Sequence, residues 1–267
     1  TVHGASRAAL GDDLVTHFSN AELDRVRARL QHVDRVITVS ESARDEVIQH
    51  YGVSSDRITV IHNGVGEGFH PGAANAAVLA RYGIRQPFIL TISTLKPKKN
   101  VAASVRTFAE LRRRHPDLPH QLVLVGYKAA GYTEVDDAIR ELGLETHVIQ
   151  TGWTESAEIP TFYAAADLVL FPTLHEGFGL PIVEAMASGC PVAASGVFSV
   201  PEVGGNAIVT FDPADEAAMV EATERALFDR ELREGLVSRG RERARRFTWA
   251  DAARKTAAVY RELLGLA

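Results

Sequence analysis

Short apolar runs separated by stretches of helical periodicity constrain this chain most. That alternation is the pattern of parallel strands joined by right-handed crossovers. Val36 to Ser40 reads as a strand and Glu41 to Tyr51 as the helix after it, capped by Ser40. Arg57 to His62 is a second strand, ending at the Asn63-Gly64 turn. No apolar period survives between Gly64 and Gly72, where Gly66, Gly68 and Pro71 suit a linker. A second series starts with strand Phe88 to Ser93 and helix Asn100 to His115, stopped by Pro116. It continues with strand Gln121 to Gly126, helix Val135 to Leu142 and strand Val148 to Gly152. Helices around Ile159 to Ala166 and Pro181 to Ser188 then alternate with strands Leu168 to Pro172, Val192 to Ser195 and Ala207 to Phe211. Three helical stretches close the chain, near Asp215 to Phe228, Glu231 to Phe247 and Trp249 to Leu264. The strand runs are nearly continuous in apolar residues, as when helices cover both faces of a sheet. The expected fold is α/β, with an incomplete Rossmann-like portion before about Gly72 and a complete one after it. Thr1-Val2-His3-Gly4 reads as the end of a strand already under way, so the chain is expected to be a fragment.

In such sheets ligands bind beyond the carboxyl ends of the strands. The loop His175 to Leu180 follows the strand Leu168 to Pro172, and Pro181 suits the first turn of the next helix. The glycines at 177 and 179 let backbone approach a ligand, and a helix start offers free N–H groups to an anion. Glu176 lies on the loop and Glu184 on the first turn of the helix, so both carboxylates are expected to face one crevice. A carboxylate repels a phosphate but accepts hydrogen bonds from hydroxyls. Two such acceptors beside an anion-binding helix start fit a diphosphate flanked by two sugars, that is, a nucleotide sugar. From spacing alone, a glycine-rich βα turn with Glu184 as a solvated helix residue fits equally well.

Composition removes other classes. The charge sum is 29 − 34 = −5 over 267 residues, so no global basic field argues for nucleic acid. Arg112-Arg113-Arg114 and the arginines from Arg239 to Arg246 fall in helical patterns and read as solvated helix faces. The single cysteine, Cys190, excludes an intrachain disulfide and a multi-cysteine zinc site, and reads as a small buried thiol. No run is long enough to cross a bilayer and no secretory signal pattern occurs, which makes the cytoplasm the default location.

The run Glu176-Gly177-Phe178-Gly179-Leu180-Pro181, followed by Glu184 to Val192, resembles the signature of glycosyltransferase family 4, whose members are retaining enzymes of the GT-B fold. Val39 to Ser42, Val60 to Val65, Thr94 to Asn100 and Trp249 to Leu264 resemble it too, so the likeness spans nearly the whole chain. It implies two Rossmann-like domains, the N-terminal one incomplete here. Residues 1–72 would be the acceptor side with its linker and 73–248 the donor-binding domain. The helix in 249–267 would pack back toward the N-terminal domain.

By matching position the resemblance implies that Glu176 bonds donor-sugar hydroxyls and Glu184 the ribose. Backbone around Gly177, Phe178, Gly179 and Leu180 would meet the sugar or diphosphate. The family's diphosphate lysine falls on Lys99, but its arginine position is Thr94; Lys98 is the candidate for the missing charge. Thr94-Leu95-x-Pro97-x-Lys99-Asn100 resembles a subset that includes polysaccharide mannosyltransferases, which favours GDP-mannose over UDP- and dTDP-sugars. His3 matches a histidine near the donor sugar. Trp153 matches a segment lining the base mainly through backbone, with a core tryptophan as the equal alternative, and Asn63-Gly64 receives no binding role. The implied acceptor is a glycan or lipid-linked glycan, with peripheral membrane association as a further expectation. No cofactor is expected, and the absence of Asp-x-Asp leaves metal-dependent GT-A chemistry unsupported. Competing readings are a non-catalytic nucleotide-sugar binding module and a nucleotide-sugar epimerase of the same architecture. A dehydrogenase is disfavoured because Gly64-x-Gly66-x-Gly68 has the wrong spacing.

Overall fold

The computed structural model describes residues 1–3 and 20–266. Two parallel sheets order it. The smaller pairs β1 (Val36–Thr38) with β2 (Ile58–Val60), Val36 opposite Ile58, and Val2 bridges Thr38 on the same sheet. Helix α1 (Asn20–Gln31) precedes β1, and α2 (Glu41–Tyr51) lies between the two strands. Ser40 caps α2 by accepting from the Ala43 N–H, and Gly52 ends it in the left-handed conformation, φ 66°.

The larger sheet contains β3 (Phe88–Ile92), β4 (Gln121–Val125), β5 (Val148–Gly152), β6 (Leu168–Phe171), β7 (Val192–Ser195) and β8 (Val209–Phe211). Its spatial order is β5-β4-β3-β6-β7-β8, all parallel. The order reverses between β3 and β6, and a crevice opens at the carboxyl ends of strands at such a switch point. Alternation along the strands divides the core in two. Phe88, Leu90, Val123, Val169 and Phe171 point into one apolar layer, while Ile89, Leu122, Leu124, Leu168 and Leu170 point into the other. The first layer is covered by α3 (Ala76–Arg81), α6 (Ile159–Ala165), α7 (Leu180–Ala187) and α8 (Val200–Gly204). The second is covered by α4 (Val101–Arg114), α5 (Glu134–Glu141), α9 (Glu216–Phe228) and α10 (Arg230–Ala244). Val39 and Ala43 from the β1–α2 corner join the first layer.

The last helix, α11 (Trp249–Leu264), is capped by Thr248 and packs Ala252 and Val259 on Ile61 and Ile37. Arg35 also pairs with Glu262 across that contact. Among the described residues no helix is long and apolar enough to cross a membrane. Cys190 is buried, with its thiol 3.3 Å from the Ala166 carbonyl, and burial pushes its pKa up. Arg113 and Arg114 lie on the outer face of α4 and pair with Glu110, as a solvated face does.

Most sequence boundaries shift by one or two residues. Three helices were not anticipated. Helix α1 is charged on nearly every turn and buries only Leu30 among its described side chains, so no apolar stripe announces it. Helices α3 and α8 have six and five residues, too short for a 3.6-residue period to show. The expected helix from Glu231 to Phe247 begins at Arg230, because Asp229 caps it, and ends at Ala244. The chain turns there and Phe247 drops into the core. The expected strand from Ala207 shortens to Val209–Phe211 because Gly205–Ala207 makes a 3-10 turn.

Candidate active site

The β3–α4 connection first runs beside β4. Ser93 N–H donates to Val125 O at 3.0 Å, and Leu95 N–H to Tyr127 O at 2.9 Å. It then turns through Pro97–Lys99 toward the end of β6. There Leu174 N–H donates to Lys98 O at 2.9 Å, and the Thr173 hydroxyl lies 3.3 Å from the same carbonyl and 2.9 Å from His175 O. The two loops at the switch point are thus tied backbone to backbone. The second enters α7 through Gly179, whose φ of 96° disfavours any side chain, and a Cβ there would lie 3.1 Å from Ile182 Cδ1. Pro181 occupies the first turn, where its missing N–H costs nothing.

These loops wall a cavity of about 370 Å³ lined by His3, Asn63, Lys98 and the run from His175 to Pro181. Of the residues singled out in the sequence, His3, Lys98, Glu176, Gly177, Phe178, Gly179 and Leu180 meet here. Burial, together with Lys99 and Lys96, holds the Lys98 ammonium below the usual lysine range. Phe178 is buried and contributes by packing, its ring 5.7 Å from that of Phe247 and 5.8 Å from that of His62.

Lys99 does not line the cavity. Its ammonium pairs with Glu176 Oε2 and lies 5.4 Å from the centroid of the Phe171 ring. Its side chain is 13% exposed and that of Glu176 18%, so the pair is only thinly hydrated.

Four residues stand differently from the sequence expectation. Glu184 is not among the residues that line this cavity: it lies one turn beyond Leu180 on the same, partly exposed face of α7. There Oε2 accepts from the Tyr163 hydroxyl at 2.8 Å. Burial raises the Glu184 pKa, and the tyrosine bond opposes that rise. Trp153 is neither in the core nor on the cavity wall; it is 65% exposed. It follows β5, the edge strand of the sheet, and its exposure excludes the core alternative. Asn63 was given no role, yet it lines the cavity because β2 delivers its carboxyl end there. Thr94 is outside the wall as well, on the β4 side of its loop.

Sequence reasoning also missed the residues that hold the wall. Ser40 donates to Gly177 O at 2.6 Å, Ser199 to Glu176 O at 2.8 Å, and Glu46 meets His175 at 2.7 Å. Glu202, on α8, accepts from the Glu41 and Ser42 N–H groups and meets His62 at 2.7 Å. Burial raises the Glu202 pKa, but His62 and the two backbone donors together hold it below the usual carboxylate range. None of these long-range partners leaves a periodic mark; only the capping position of Ser40 was readable.

The Tyr163–Glu184 bond yields a stability prediction. A carboxyl whose pKa is raised by folding contributes stability below its unfolded pKa and loses it as pH rises through the folded value. Tyr163→Phe removes the one opposing contribution. We expect it to cost about 1–3 kcal/mol at pH 8, the price of a buried polar group left short of a partner. The cost should shrink toward pH 5 as Glu184 protonates. Urea unfolding at both pH values checks it, and an equal loss at both would refute the charge-based account.

A parallel 3-2-1-4-5-6 sheet beside a second parallel sheet is the architecture shared with solved GT-B structures. The chain belongs to the family described as glycosyl transferases group 1, whose sequence profile matches residues 80–243. A profile described as glycosyltransferase family 4 matches residues 1–69. The chain is 32% identical to an O-antigen chain mannosyltransferase B of Escherichia coli over 235 residues, covering 85% of this chain and 60% of that one. It is 30% identical over 255 residues to the serotype-specific mannosyltransferase WbdA of Escherichia coli, covering 91% of this chain and 30% of that one. Among solved structures it resembles the Anabaena protein HepE in complex with UDP-glucose. That likeness has a TM-score of 0.76 and 24% identity, covering 94% of this chain and 69% of that one.

Proposed function

We propose that this chain carries the donor site of a retaining, metal-independent hexosyltransferase that moves mannose from GDP-mannose to a glycan or lipid-linked acceptor. The observation that carries the reading is the convergence of Lys98, Glu176 and the start of α7 on one cavity at the switch point, with Lys99 paired to Glu176. In this reading the diphosphate lies against the α7 start and the two lysines, and Glu176 accepts from sugar hydroxyls. Glu184 accepts from the ribose; a carboxylate takes several hydrogen bonds, so Tyr163 does not exhaust it. His3 and Asn63 face the sugar from the smaller sheet. Trp153 is left without a donor contact. Residues 1–72 form the acceptor side, 73–248 the donor domain, and the helix in 249–267 braces the two.

Chemically, the acceptor hydroxyl attacks the anomeric carbon from the face that the diphosphate leaves. The site supplies alignment and charge for the leaving group. The mannose preference is supported by the two mannosyltransferase relatives. The UDP-glucose complex of HepE keeps UDP-sugars in contention.

The test is thermal unfolding with GDP, UDP and dTDP, each with and without its sugar. A nucleotide at about 100 times its Kd stabilises by about 2.7 kcal/mol. At about 2–4 °C per kcal/mol for a chain of this size, that raises Tm by several degrees. We expect the shift with GDP and its loss in Glu184→Ala. A shift confined to UDP-sugars would remove the mannose donor, and turnover abolished by EDTA but restored by Mn²⁺ would remove the metal-independent mechanism.

A further inference from the structure

Glu46 and His175 are 129 residues apart in sequence, yet Glu46 Oε1 lies 2.7 Å from His175 Nε2. Their side chains are 6% and 2% exposed. Burying such a pair is a poor route to stability, since apolar packing of the same volume serves at least as well. The contact does, however, tie its two members in one geometry through His175 Nε2, while the buried Nδ1 has no hydrogen-bond partner among the described residues. The other face of His175 is held too: the Phe198 ring lies 4.3 Å from it, centroid to centroid. Phe198 has φ 51°, a left-handed conformation that costs a bulky residue and persists only where the surroundings impose it. The next residue, Ser199, holds the Glu176 carbonyl, and Ser40 holds that of Gly177. The residue on each side of Glu176 is therefore anchored by elements outside its own loop: α2 with its cap, and the β7–α8 segment. Glu46 itself does not line the cavity.

We propose that Glu46 and His175 are positioning residues that fix the Glu176 carboxylate toward the donor sugar, so that a residue of the smaller unit sets how the donor domain reads the sugar. This rests on the reading of Glu176 as the acceptor of sugar hydroxyls. Glu46 contacts no ligand in this arrangement and acts through His175. Its loss selectively weakens binding of the sugar and leaves the nucleotide part alone.

Calorimetric titration with GDP and GDP-mannose, and with UDP and UDP-glucose, tests this through the ratio of the two dissociation constants in whichever pair binds. Glu46→Leu removes the acceptor and should move that ratio about tenfold against the sugar nucleotide, one charge-assisted hydrogen bond's worth. The Kd of the plain nucleotide should stay within about twofold. Glu46→Gln keeps an acceptor at the same place and should restore the wild-type ratio. Should Glu46→Leu not fold, Glu46→Met, which also lacks an acceptor oxygen but keeps the length, is read in the same way. An unchanged ratio, or equal weakening of both ligands, overturns the inference. Glu176→Gln separates the two readings. If it moves the ratio while Glu46→Leu does not, only the positioning role falls; if Glu176→Gln leaves the ratio unmoved, the sugar-binding role of Glu176 falls and this inference with it. Absence of any nucleotide binding by the wild type removes both.

Discussion

Lys99→Met will lower sugar transfer about 10²- to 10³-fold, the usual cost of removing a group that stabilises charge on a leaving group. The lysine is carried by the loop before α4, and its ammonium pairs with Glu176. In the proposed reading, a donor would bring a diphosphate that competes with Glu176 for that ammonium, and sugar hydroxyls that compete with Lys99 for the carboxylate. One ion pair is thus exchanged for two ligand contacts, and the charges remain compensated throughout. Methionine keeps the length and apolar stem of lysine and removes only the charge, so the contact with Phe171 survives in part. The ion pair makes the stability of the variants informative. Removing one member of a poorly hydrated pair leaves the other uncompensated, whereas removing both does not. Lys99→Met alone should therefore melt below the wild type, and Lys99→Met with Glu176→Gln should recover much of that loss while transfer stays low. Steady-state transfer and thermal melts on the three variants decide it. A single variant that transfers within tenfold of wild type would place the leaving-group charge elsewhere, with Lys98 the first candidate because it lines the cavity itself.

The four central strands of the larger sheet were legible because each is buried on both faces and so spells a nearly unbroken apolar run. Phe88–Ile92 and Gln121–Val125 are buried at every position. Helix starts were legible where a side chain caps them, as Ser40, Asp215 and Thr248 do. The centre of the site was legible as well, since glycine at a strand-to-helix turn has a local cause. Three things were not. The partner of Glu184 was hidden, because the sequence does not say that this turn of a short helix meets Tyr163. Strand order removed Trp153 to the sheet edge, and order is a property of the whole sheet. Partners 129 to 161 residues apart, such as Glu46 with His175 and Glu41 with Glu202, exist only after folding.

Glycines show the same limit, and they lead to the largest stability effect expected here. Gly126 and Gly131 both sit in the connection after β4 and both have positive φ, 134° and 76°. In sequence they are indistinguishable. In the structure a Cβ on Gly126 would stand 2.0 Å from the Ser93 carbonyl oxygen and 2.8 Å from its carbon, whereas one on Gly131 meets nothing within 4 Å. Ser93 cannot yield easily, because its N–H is bonded to Val125 O and Leu95 is bonded to Tyr127 and Ala129, on both sides of the contact. Gly131→Ala should therefore cost only backbone strain, about 1 kcal/mol. Gly126→Ala adds overpacking against a fixed backbone to a less favourable φ. The two together should cost about 3–5 kcal/mol, lowering Tm by roughly 6–20 °C. Denaturant unfolding of the two variants side by side is the check, with nucleotide binding measured on whatever fraction of Gly126→Ala folds. The loop pushed by the new methyl is the one that carries Lys98 and Lys99, so donor affinity should fall in the Gly126 variant and hold in the Gly131 variant. Equal stability of the two would mean that Ser93 moves aside at no cost, and that the β3–α4 loop is not the rigid arm that delivers the lysines to the cavity.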